Sequence, residues 1–118
     1  MDASGQWQFD ATLAVLSGEG RTLLRSLLSK LADFDDLRTR FEPRTPAPRG
    51  ELVLLHGEDE IARVLLKPGA LPLLAFVGEA PRELNGLLQT TQAAERIGKR
   101  VQELRDRGPQ PGLSPPRR

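Results

Sequence analysis

The chain has 118 residues, of which 38% are apolar and 28% charged, with a formal charge of +1 and no cysteine. That length supports one domain around one modest core. The near-neutral charge provides no field to draw the protein to nucleic acid or an anionic membrane. The missing cysteines exclude disulfides, thiol nucleophiles and cysteine-ligated metals, as suits a reducing compartment. Residues 1–8 are polar and lack the basic-then-apolar order of a signal peptide. No apolar run approaches the ~20 residues a membrane helix needs, so a cytoplasmic location is expected.

Taken in chain order, residues 7–16 come first, with Trp7, Phe9, Ala11 and Leu13 on one parity. They read as a strand, although Asp10 and Ala14 suit a helix equally well. A helix follows over residues 20–40. Leu23, Leu24, Leu27, Leu28, Leu31, Phe34 and Leu37 recur there at three- and four-residue steps and share one face. Pro43, Pro46, Pro48 and Gly50 mark a linker.

Three short apolar runs come next: ELVLLH at 51–56, IARVLLK at 61–67 and LPLLAFV at 71–77. The short loops between them predict an antiparallel three-stranded meander over residues 51–77. Both parities of each run are largely apolar, which predicts a sheet covered on both faces by helices. A second amphipathic helix is predicted over 86–107, with Leu87, Thr90 or Thr91, Ala94, Ile97, Val101 and Leu104 as its stripe. Gly98 inside it costs about 1 kcal/mol against alanine, which points to close approach of a neighbouring backbone. The expected whole is an α+β domain over residues 1–107, with a disordered proline-rich tail over 108–118.

Residues able to carry chemistry are few. His56, the sole histidine, ends a strand beside a turn with Asp59 and Glu60 close in sequence. One histidine with loop carboxylates is no recognised zinc arrangement, so His56 reads as a solvated strand-end residue. Ser17, Ser26 and Ser29 lack the G-x-S-x-G context of a hydrolase. The segment Ser17-Gly18-Glu19-Gly20 lacks the lysine and spacing of a phosphate loop and reads as a helix entry, with Ser17 or Glu19 near the N-cap. Two acidic clusters, Asp33-Asp35-Asp36 and Glu58-Asp59-Glu60, do not follow a calcium-loop pattern. From Arg96 to Arg118, seven arginines and lysines stand against Glu103 and Asp106. No aromatic is interleaved there for base stacking, so the stretch reads as a solvated helix face. No catalytic residue, cofactor site or metal site is assigned.

The segments GELVLLHGEDEIARVLLKPGALPLLAFV and LNGLLQTTQAAERIGKRVQEL, with the leucine-rich helix before them, resemble the roadblock/dynein-light-chain family. That family opens with a helix and a hairpin before its central helix, and this chain has room there for only one strand or two very short ones. The resemblance implies a profilin-like sandwich without enzymatic activity. It also implies a homodimer made by pairing strand 51–56 and the central helix with a second copy, and scaffolding or regulation of a small Ras-like GTPase. An apolar edge strand left unpaired is an aggregation hazard that dimerisation removes. Leu24, Leu28, Leu31, Leu52 and Leu54 are the expected contact residues. The alternatives are a small RelE-like ribonuclease toxin, which would use Arg63, Lys67 and His56 on the sheet, and an α/β adaptor subunit.

Overall fold

A computed structural model describes residues 3–46 and 48–107. The expected tail at 108–118 lies outside them. The chain is α+β, with eight elements in the order α1 (Ala3–Ala14), α2 (Gly18–Leu31), β1 (Leu37–Arg44), β2 (Arg49–His56), β3 (Asp59–Leu66), β4 (Leu73–Phe76), β5 (Arg82–Glu83) and α3 (Leu87–Arg107). The strands form one antiparallel sheet in sequence order, β1-β2-β3-β4-β5.

The residues expected as an N-terminal strand are helical. Phe9 and Thr12 are buried and Leu13 packs against the core, a three-and-four spacing that defines the inner face of α1, and Leu16 just after it is also buried. Trp7, which suggested a period of two, is 71% exposed. At the next corner the Gly20 amide donates to Ser17 Oγ at 3.0 Å, so Ser17 caps α2. The Arg21 guanidinium donates to the Ala14 and Leu16 carbonyls, tying the end of α1 to the start of α2.

The helix expected over 20–40 stops at Leu31, and residues 37–44 are a strand. Leu37, Thr39 and Phe41 face the core, while Arg38, Arg40, Glu42 and Arg44 face away. The expected linker is the β1–β2 hairpin, and Gly50 opposite Pro43 makes room for the Phe41 ring. A proline within β1 fits because β1 is an edge strand. The meander over 51–77 is present as β2, β3 and β4. A bulge between β2 and β3 leaves Ile61 as the extra residue, paired to neither Leu54 nor Leu55.

One core holds the layers together. Leu52, Leu54, Ala62, Val64, Leu66 and Leu74 on one sheet face join Leu24, Leu27 and Leu31 of α2 and Ile97, Val101 and Leu104 of α3. On α3, Thr90 is buried and its hydroxyl donates to the Gly86 carbonyl. Leu87, expected in the buried stripe, is exposed together with Leu88. The cover on both faces also needs correction. All three helices pack into the same core, and the other sheet face carries none of them. Among the described residues no helix is long and apolar enough to cross a membrane.

Candidate interaction surface

The five expected contact leucines do not form an outer surface. Strand β2 is flanked by β1 and β3, so the stretch 51–56 has no free edge, and Leu52, Leu54, Leu24 and Leu31 are buried. Core demand explains this, because the leucine stripe and the inner strand residues are what the sheet and helices bury against each other. Leu28, Leu31 and Leu52 do meet along an apolar groove of about 460 Å³ between α1, the end of α2 and β1. Among the described residues the free edges of the sheet are β1, eight residues long, and β5, two residues long.

The helix-free face is built by register. Glu42, Glu51, Leu65 and Leu73 form one row across the strands, and Arg40, Val53, Arg63 and Ala75 form the next. Arg63 lies at the centre. Its Nη1 donates at 2.8 Å to both Glu42 and Glu51, and its Nε and Nη2 grip the Glu60 carboxylate at 2.7 and 2.9 Å. Arg40 and Arg44 bind Glu42 from the edge, and Arg44 also reaches Glu51.

The electrostatics follow from these contacts. Glu60, then Glu51, push the Arg63 guanidinium pKa up, against its partial burial. Partial burial works to raise the Glu42 carboxyl, and hydrogen bonds from Arg40, Arg63 and Arg44 outweigh it and hold the carboxyl below the usual range. The Arg63 hydrogen bonds likewise lower Glu60. Val53 belongs to this face yet has 0% exposure. Its cross-strand neighbours are Arg40 and Arg63, whose long stems can cover apolar surface while their charges stay in water. Beside this charged half, Leu55, Leu65, Leu73 and Ala75 are half-buried. Leu65 sits directly opposite Leu73.

His56 also differs from its expected setting. Its Nε2 lies 2.8 Å from Asp36 Oδ2, with the ring half-buried, and Arg105 clamps the same carboxylate in a bidentate pair. The cluster joins the turn before β1, the end of β2 and the last turns of α3. The Arg105 guanidinium, with His56 as a smaller contributor, holds the Asp36 carboxyl well below the usual carboxylate range. His56 has the core-side parity of β2 while Arg63 points from the opposite face, so the residues a ribonuclease reading would use do not converge. Among the described residues, no three acidic or histidine side chains gather into a metal-binding group.

A second cavity, of about 250 Å³, lies between β4–β5 and α3 over a floor of Leu74, Phe76, Leu84 and Ala93. At its rim the Arg96 guanidinium stacks 3.9 Å over the Phe76 ring and pairs with Glu79. Both the charge and the flat face of Arg96 are thereby occupied.

Sequence reasoning singled out Arg63 on the sheet but did not pair it with Glu42, Glu51 and Glu60, and it passed over the arginines of β1. The signal for β1 was present in the alternation of Leu37, Thr39 and Phe41 with Arg38, Arg40 and Glu42, but the leucine stripe running into it masked the change of period. No protein-family model, curated protein or solved structure matches the chain.

Proposed function

We propose that the chain is a non-enzymatic protein-interaction module that works through the helix-free face of its sheet and assembles there as a homodimer. The observation that supports this reading is the unequal treatment of the two faces: among the described residues helices cover one, and only the sheet's own side chains cover the other. Leu55, Leu65, Leu73 and Ala75 retain exposed apolar area. Covering such area gains about 25 cal/mol per Å². A patch of this kind meets its own copy about a two-fold axis, the commonest symmetry of soluble assemblies. A small Ras-like GTPase as a further partner rests on the sequence resemblance alone, and no residue of this face selects it.

The test is solution mass by light scattering across a concentration series, for the native chain, Leu65→Asp and Leu73→Asp. The reading expects a native dimer and monomeric variants of unchanged helix content. A native monomer throughout the series overturns the homodimer, and a dimer that survives both substitutions removes it from this face.

A further inference from the structure

Two arginines are left over from the ion-pair lattice. Among the described residues neither Arg38 nor Arg49 has a carboxylate within ion-pair distance. Arg49 stands directly opposite Arg44 at the end of the β1–β2 hairpin, on the same face. Like charges set opposite each other on a sheet are destabilising. Among the described residues the Nε atom of Arg49, which is buried, has no hydrogen-bond partner, an arrangement that loses free energy until an acceptor arrives. Arg38 lies on β1 and Arg49 opposite its end, and among the described residues the outer edge of β1 pairs with no strand.

We propose that the β1 edge docks an extended acidic segment of a partner protein, which adds to the sheet as a sixth strand. The proposal rests on the reading of the sheet as an interaction surface and names the chemistry of one partner.

Main-chain groups of a free edge supply hydrogen bonds to any extended chain. Selectivity comes from the side chains. Arg38, Arg40 and Arg44 project from alternate positions of β1 toward one face. Residues two apart on a strand are about 6.6–6.8 Å apart, so carboxylates at every second position of an added strand come opposite this row. Arginine forks grip carboxylates in paired hydrogen bonds, and the acceptor brought to the hairpin end relieves the Arg44–Arg49 opposition. Among the described residues, the carboxylates on this part of the face, Glu42, Glu51 and Glu60, are already engaged by Arg40, Arg44 and Arg63. A second copy fits the edge poorly, because three of the four outward residues of β1 are arginines and self-pairing sets like charges together.

Peptide binding to the full chain, followed by fluorescence anisotropy, tests the proposal. The probe is a labelled octapeptide of alternating glutamate and valine. Its controls are four glutamates followed by four valines, and alternating lysine and valine. The alternating acidic peptide is expected to bind at least tenfold tighter than either control and to weaken at least tenfold in R38E/R44E. Amide NMR shifts are expected to concentrate along β1.

Equal binding of the block peptide would show general attraction between charges and would overturn strand addition. Absence of saturable binding by any acidic peptide would also overturn it. If R38E/R44E dissociates a native dimer, the edge belongs to a second copy and the proposal fails. Dissociation by Leu65→Asp concerns only the homodimer reading, so the two readings can fail separately.

Discussion

The ring of Phe34 rests directly on Gly98: a methyl group at position 98 would come within 2.6 Å of the ring's Cζ. Phe34 belongs to the turn that carries α2 into β1, and Gly98 lies in the middle of α3. The contact therefore pins that turn onto the C-terminal helix. The close neighbour expected from a glycine in a helix is present, but it is an aromatic ring and not a backbone.

Gly98→Ala tests this contact because helix propensity and packing oppose each other. Propensity favours alanine by about 1 kcal/mol, while overpacking typically costs about 1–3 kcal/mol. A net loss of stability is expected in urea unfolding, with partial recovery in Gly98→Ala/Phe34→Leu. A more stable single variant would show that the ring moves aside freely.

Asp36→Asn probes the cluster that ties α3 to the strands. Folding lowers the Asp36 pKa, so its contribution is fully present above the unfolded value of about 3.9. It is lost as pH falls from there toward the folded value. Native protein is expected to exceed the variant in stability at pH 7, with the gap narrowing at about pH 3 and below. Urea midpoints at the two pH values give the answer, and a gap independent of pH would assign it to something other than the carboxylate.

Arg63→Ala leaves Glu42, Glu51 and Glu60 close together without their shared cation. Hydrogen bonds to charged groups contribute about 1.5–3 kcal/mol; these four share one partly solvated guanidinium and are not additive, so a total loss in that range is expected. Arg63→Lys keeps the charge but not the fork, so intermediate stability is expected. Adding salt should narrow the gap between native protein and the alanine variant if repulsion among the three carboxylates contributes.

Leu54→Asp and Leu65→Asp separate core from surface. Leu54 is fully buried on the helix-covered face, so an unpaired charge there is expected to unfold or aggregate the protein. Leu65 is half-buried on the helix-free face, and its variant is expected to keep native helix content by circular dichroism. A folded Leu54→Asp would contradict the core assignment.

Periodicity and turn chemistry made several elements legible without the structure. The α3 helix shows itself because Ala94, Ile97, Val101 and Leu104 repeat at helical spacing, and the β2–β3 and β3–β4 turns because Gly57 and Gly69 take positive φ. The capped start of α2 at Ser17 is equally local. The end of α2 is not, because Phe34 and Leu37 continue the leucine stripe after the backbone has left the helix. Trp7 misled in the same way, since a large apolar residue signals burial that the fold does not supply. The two-residue β5 has no sequence signal to find.

The sequence by itself determined the recurring apolar stripes, and hence the α+β class, the meander and the C-terminal helix. Only the tertiary structure decided which strand is an edge, which face goes uncovered and which charges meet. Arg63 gathers Glu60, Glu51 and Glu42 from separations of 3, 12 and 21 residues, and Asp36 meets Arg105 across 69. Hydrophobicity is a property each residue carries locally. Ion pairing between strands depends on register, which is set by how the hairpins close and by which face the helices cover.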